Sequence, residues 1–213
     1  MKTVAYILAE KLLEISAIKL QPANPFVWAS GWNSPIYTDN RKTLSYPSLR
    51  SFIKIEIART VAENFKDVDA IAGVATGAIA QGALVADILG LPYVYVRSSP
   101  KDHGLENLIE GNLKAGQKVV VIEDLISTGG SCIEVVDALR EAGADVLGVV
   151  SIFTYGMEKG KQRLKEADVL NYSLTNFDTL CKAAVEEGYI TDNEELKLKT
   201  FMSNPSDPSW QSI

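Results

Sequence analysis

The chain has 213 residues, a formal net charge of −6 and hydrophobic residues at 46% of its positions. That length buries a full core without metals or disulfides, and the acidic balance argues against a general nucleic-acid binder, which carries a basic face. Two cysteines without CxxC spacing, Cys132 and Cys181, fit a reducing compartment, and no apolar run reaches the length of a membrane span.

Glu10 and Lys11 put charge too early for a secretory leader, and residues 4–15 carry helical apolar spacing instead. The chain therefore reads as soluble and cytoplasmic. Residues 22–47 are aromatic, proline-rich and polar, with little periodicity; so long a segment without regular structure is usually functional. A second helix is predicted over 49–61, with Leu49, Ile53, Ile57 and Val61 on one face. Beyond Asp69 strands and helices alternate: strand 70–75, helix to 89, strand 93–97 and a polar interval. Then come strand 119–123, helix 132–142, strand 146–153, a short helix, strand 169–174 and helix 177–187. This alternation predicts an α/β fold, a central mainly parallel sheet flanked by helices, with ligand sites at the strands' C-terminal ends. One domain is expected over 1–202. Residues 203–213, with two prolines and no periodicity, read as a loosely held tail.

The most informative stretch is 119–131, VVVIEDLISTGGS. Its β-branched start predicts a strand buried on both faces. Adjacent carboxylates, Glu123 and Asp124, follow at the strand's end. Leu125, Ile126, Ser127, Thr128, Gly129, Gly130 and Ser131 then lead into a helical pattern. A loop of small residues lets backbone N–H groups turn inward around an anion, with the helix N-terminus behind them. Cradle and carboxylates side by side suit a ligand with a phosphate and neighbouring hydroxyls, such as a ribose 5-phosphate. Neither a Walker ending nor a GxGxxG loop is present. The plainer alternative is a buried strand with an acidic end capped by a Ser/Thr turn.

Three further segments fall where such a sheet would build its site. In GVATGAI, residues 73–79, Ala75, Thr76 and Gly77 form a small-residue turn open to an anion or, equally, to tight helix–strand packing. In YVRSSPKDHG, residues 95–104, the sole histidine, His103, shares a polar loop with Arg97 and Lys101. It is either a solvated loop residue or part of a cationic lid meeting a pyrophosphate. Residues 26–41, FVWASGWNSPIYTDNR, suit a binding hood or an interface loop.

Residues 119–131 closely resemble the PRPP-binding motif of the type I phosphoribosyltransferases. YVR followed by KDHG, with the SGWNSP segment, is similar to the orotate phosphoribosyltransferases in particular. The resemblance implies the type I fold with a small N-terminal hood over about 1–47. It implies transfer of the phosphoribosyl group of PRPP to orotate, with Mg²⁺ as cofactor bound mainly through PRPP. It assigns Arg97, Lys101 and His103 to the pyrophosphate, Glu123 and Asp124 to the ribose hydroxyls, and Ser127 to Ser131 to the 5-phosphate. Lys101, His103 and Asp124 are the catalytic candidates, Ala75, Thr76 and Gly77 the pyrophosphate turn, and Ser127 lies near orotate. A homodimer is implied, its lid acting on the partner subunit's site, with no nucleic-acid or membrane partner.

Four positions depart from the pattern of many relatives: Ser98, Asn33 and Gly77 stand where lysines occur, and Thr154 near an orotate-pairing arginine. Arg41 is the candidate replacement. The alternatives are a transferase for another nucleobase and a PRPP-sensing regulator of the same fold; the intact KDHG segment favours an enzyme.

Overall fold

The computed structural model describes residues 2–27, 33–98 and 108–213. Its elements begin with α1 (Val4–Glu14), β1 (Ile18–Leu20), β2 (Phe26–Val27), β3 (Asn33–Ser34), β4 (Ile36–Thr38) and α2 (Pro47–Asn64). Next are β5 (Ala70–Val74), α3 (Ile79–Leu89), β6 (Tyr93–Val96), β7 (Ile109–Glu110), β8 (Lys118–Ile126) and α4 (Gly130–Glu141). The chain closes with β9 (Asp145–Thr154), α5 (Glu158–Glu166), β10 (Asn171–Asn176), α6 (Phe177–Glu186) and α7 (Asp192–Ser203). Where the sequence suggests one domain over 1–202, contacts divide the chain into two compact units, Leu44–Leu174 and Met1–Thr43 with Thr175–Ile213.

The larger unit is built on a six-stranded sheet in the order β10-β9-β8-β5-β6-β7. β6, β5, β8 and β9 are parallel neighbours, and β7 lies antiparallel on the outer edge of β6. Central parallel strands are covered on both faces, which is why their sequences are continuous apolar runs. All of β5 is buried, as are Val119 to Ile122 of β8. Pro47 starts α2 where its missing N–H costs nothing, and the predicted face of Ile53, Ile57 and Val61 is buried. The chain passes from β5 through α3 to β6 on one side and builds β8, α4 and β9 on the other. The C-terminal ends of β5 and β8 therefore form the topological switch point where such folds open a ligand crevice.

Two features of this sheet differ from the sequence reading. β8 runs on to Ile126 instead of ending at Glu123, so both Glu123 and Asp124 lie inside the strand. β9 continues alongside, placing Glu123 opposite Ser151 and Ile126 opposite Thr154. Backbone pairing needs no apolar side chain, so the ladder outlasts the apolar run. The polar interval after β6 also contains a strand, β7, pairing Tyr95 with Glu110 and Val96 with Ile109.

In the smaller unit, Thr3 caps α1 by accepting from the Tyr6 N–H, and α1 buries Leu8, Ala9 and Leu12. α1 packs on α6, where Tyr6 Oη donates to Glu186 at 2.6 Å and Lys2 bridges Glu10 and Glu187. The interval 22–47 holds more regular structure than its sequence suggests. β1 pairs with β4 and β2 with β3, and a 3-10 helix follows at Asn40–Ser45. The tail is not loosely held: Pro208–Ser212 is a 3-10 helix, and Trp210, 1% exposed, packs edge-on against Phe201 of α7. Burial of that indole offsets part of the entropy of ordering the segment. Among the described residues no helix is long and apolar enough to cross a membrane.

Candidate active site

The site is assembled in the larger unit from the segments that succeed β5, β6 and β8. After β5, Ala75 donates its N–H to Val96 O at 3.0 Å, and the Ala75–Thr76 peptide is cis. The N–H of Ala78 donates to Val74 O at 3.0 Å, which closes the turn. Tyr93 reaches across from β6, its hydroxyl donating to Ile79 O at 2.7 Å, and so ties the first turn of α3 to the sheet. Gly73 and Gly82 make room for that ring: a Cβ at either would run into Tyr93.

Successive side chains of a strand leave on opposite faces, and this splits the acidic pair. Glu123 is buried at 4% exposure and accepts a hydrogen bond from the Asp124 N–H at 2.9 Å. Burial, with the neighbouring Asp124 charge, pushes its carboxyl well above the usual carboxylate range. Asp124 is only half-buried, and its carboxylate lies directly against Gly77 of the β5 turn. The turn after β5 and Asp124 therefore meet at one contact.

After β8 the chain turns through Gly129, whose φ of 76° lies in the left-handed region that glycine tolerates. Gly129 O accepts from Ile133 N at 3.1 Å and from Cys132 Sγ at 3.2 Å. The first turn of α4 contains no acid, so nothing in it opposes an anion at this helix N-terminus. Gly160 of α5 backs the loop so closely that a Cβ there would stand 2.6 Å from Ser127 O. Burial pushes the Cys132 thiol up to about 12, so it stays protonated and inert.

A cavity of about 600 Å³ opens beside the turn, lined by Ala75, Thr76, Ile79, Tyr95, Arg97, Ser98 and Glu110. A neighbouring one of about 360 Å³ includes Arg97, Ser98, Ser131 and the acidic face Glu134, Asp137 and Glu141 of α4. Arg97 thus joins Ala75 and Thr76 in one cavity, while Asp124 meets Gly77 beside it. Lys101 and His103 lie outside the described residues, as do Trp28, Ala29, Ser30, Gly31 and Trp32 of the aromatic segment.

Arg41 belongs to the smaller unit, where its Nε donates to Asp39 at 2.7 Å and holds that carboxyl below its usual range. Thr154 closes the end of the β8–β9 ladder, its hydroxyl donating to Ile126 O at 3.2 Å and accepting from Gly156 N at 3.0 Å. Two residues escaped the sequence reading. Glu110 sits on a strand too short to show periodicity, its only signal being Gly111 just after it. Gly160 lies in a charged helix where a lone glycine marks a close approach.

Residues 50–180 match the family described as Phosphoribosyl transferase domain. The chain is 60% identical over 206 residues to the orotate phosphoribosyltransferase of Porphyromonas gingivalis, covering 96% of this chain and 98% of that one. It is 54% identical over 197 residues to the enzyme of the same name from Listeria innocua, covering 92% and 94%. Among solved structures, the crystal structure of orotate phosphoribosyltransferase from Aeropyrum pernix superimposes with a TM-score of 0.75 at 28% identity. That match covers 86% of this chain and 99% of the other.

Proposed function

This chain belongs to the orotate phosphoribosyltransferases, and we infer from that premise and from the geometry of the site how it divides the reaction. It transfers the phosphoribosyl group of PRPP to orotate, giving orotidine 5′-monophosphate and pyrophosphate. The observation that carries the division of labour is the contact between Gly77 and Asp124, which joins the turn after β5 to the acidic strand end of β8.

On this reading Ser127 to Ser131 hold the 5-phosphate at the N-terminus of α4, with Ser127 near orotate. Asp124, on the open face, engages the ribose hydroxyls, while Glu123, which the sequence resemblance also assigns to them, is buried on the other face of the strand. Ala75, Thr76 and Gly77 receive the pyrophosphate, and Arg97, Lys101 and His103, reaching in from the other subunit, add positive charge there. The bond from C1 to the pyrophosphate oxygen lengthens, and its electron pair leaves with that oxygen. The ribose ring gains positive charge, and an orotate nitrogen attacks the opposite face, forming the C1–N bond as its proton is released. Little nucleophile activation is required of the protein. Its part is to position both reactants, exclude water and stabilise the departing anion.

Among the described residues no group of three His, Cys, Asp or Glu forms a metal-binding cluster. The reading assigns Mg²⁺ to the oxygens of PRPP, near Asp124, where it would neutralise the pyrophosphate charge. It also includes a cytoplasmic homodimer in which Arg97, Lys101 and His103 act on the partner subunit's site, supported by the sequence resemblance.

Loss of orotate absorbance on adding PRPP tests the function, with adenine, hypoxanthine and uracil as controls. Orotate alone is expected to be consumed, and only with a divalent cation. Turnover of a purine, or equal turnover in excess chelator, would overturn the reading. Mixing inactive Lys101→Ala protein with inactive Asp124→Asn protein tests the shared site: partial recovery is expected, and none after verified subunit exchange would contradict it.

A further inference from the structure

In an acidic chain, α5 is a basic element: it sets Lys159, Lys161, Arg163 and Lys165 against Glu158 and Glu166. Gly160, Arg163 and Leu164 are three and four residues apart and therefore share one face of that helix. The face lies along the loop after β8. Gly160 abuts Ser127 O, and a Cβ at Gly129 would meet Gly160 O and Leu164 Cγ, each at 3.6 Å. Gly160 and Leu164 are buried there, whereas Arg163 is exposed and extends past them to the start of α4. Beyond the adjoining backbone of α4, the one described atom that a Cβ on Gly130 would meet within 4 Å is Arg163 Nη1, at 3.7 Å.

The charge of Arg163 is not spent within its own helix. Glu158 is engaged by Lys161 at 2.6 Å and Glu166 by Gln162 Nε2 at 2.8 Å. Arg140 of α4, by contrast, donates to Ala167 O at 2.8 Å and to Asp168 O at 3.0 Å, and so closes the far end of α5. Among the described residues no carboxylate pairs with Arg163. Its guanidinium faces open space beside the N-terminus of α4, whose first turn holds no acid. Positive potential from the helix end and from the arginine adds in that space. Backbone N–H groups and a planar guanidinium fork can then share the oxygens of one phosphate.

We propose that Arg163 is a further binding residue for the 5-phosphate, reaching from α5 to the anion that the loop Ser127 to Ser131 cradles. The inference rests on that loop being the 5-phosphate site. Its consequence is confined to one end of the ligand: pyrophosphate, received at the turn after β5, is untouched.

The test is calorimetric binding of ribose 5-phosphate and, separately, of pyrophosphate to the full chain in Mg²⁺ buffer. Wild type is compared with Arg163→Met, Arg163→Lys and Ser131→Asp. Arg163→Met keeps an unbranched apolar stem and loses the charge. It should bind ribose 5-phosphate roughly tenfold or more weakly, with pyrophosphate binding unchanged. The deficit should shrink as salt is raised, and Arg163→Lys should fall between the two. Ser131→Asp places a carboxylate in the first turn of α4 and should lose ribose 5-phosphate binding outright. Wild-type affinity in Arg163→Met, or an equal loss of both ligands, overturns the role of Arg163 alone. Normal ribose 5-phosphate binding by Ser131→Asp overturns the loop as the 5-phosphate site and this inference with it.

Discussion

Gly77 and Asp124 touch across the switch point: a Cβ built on Gly77 would run into the Asp124 carboxylate. The glycine is what lets that carboxylate lie over the β5 turn, and it explains one departure from the lysine of some relatives. A long side chain at 77 is incompatible with Asp124 in its present pose.

Gly77→Ala should therefore damage activity more than stability. The obstructed group is the far end of a short side chain, which rotates away at little cost to the fold, but on the proposed reading its new position no longer suits the ribose hydroxyls. We expect kcat/KM to fall at least roughly tenfold, as misplaced reacting groups cost, with a melting temperature near wild type. Wild-type kinetics would show that this Asp124 pose is not the working one.

Glu123 makes a prediction about pH. Its folded-state carboxyl titrates well above the ordinary 4.5, chiefly through burial. The native protein then keeps a proton that the unfolded chain releases, so this stabilising contribution is complete below about 4.5 and is lost as pH rises through the folded-state value. Glu123→Gln imitates the protonated side chain. Measured without ligands from about pH 5 to about pH 9, its melting temperature should gain on wild type as pH increases. Parallel curves would contradict a buried, proton-bearing Glu123.

Lys101 and His103 separate transition-state from ground-state roles. Stabilising charge as the pyrophosphate departs requires either alanine variant to lower kcat by roughly 10²- to 10⁴-fold. PRPP affinity should change much less if, as proposed, the loop and Asp124 hold its other end. Steady-state kinetics with PRPP binding measured separately decides this. Normal kcat in both variants would return His103 to the status of a solvated loop residue.

At the C-terminus, Trp210→Ala should cost about 3 kcal/mol in denaturant unfolding, the usual result of truncating a buried aromatic. A cost below about 1 kcal/mol would mean that the tail contributes little.

The sequence made the sheet legible because its signal is physical and local. Val119 to Ile122 can only be β-branched and continuous if both faces are covered, and the small residues after them can only open a turn. The site's polar contacts were less legible. That Asp124 faces outward and Glu123 inward depends on how far β9 extends the ladder, which no apolar pattern in β8 records. Glu110 reaches the cavity through a two-residue strand, below the length at which alternation can be seen. α7 went unread although Thr191 and Glu194 carry its signature, a reciprocal capping box that the structure forms. The tail misled because proline and polar residues hide a single well-packed tryptophan.

On the proposed reading the site has two separable anion ends, the loop at Ser127 to Ser131 with Asp124 for the ribose phosphate and the turn after β5 with Arg97 of the other subunit for the pyrophosphate. The most direct measurement is the affinity of ribose 5-phosphate and of pyrophosphate for Asp124→Asn and for Arg97→Ala. Asp124→Asn should weaken ribose 5-phosphate and spare pyrophosphate, and Arg97→Ala should do the reverse. Equal loss of both ligands in both variants would contradict the division.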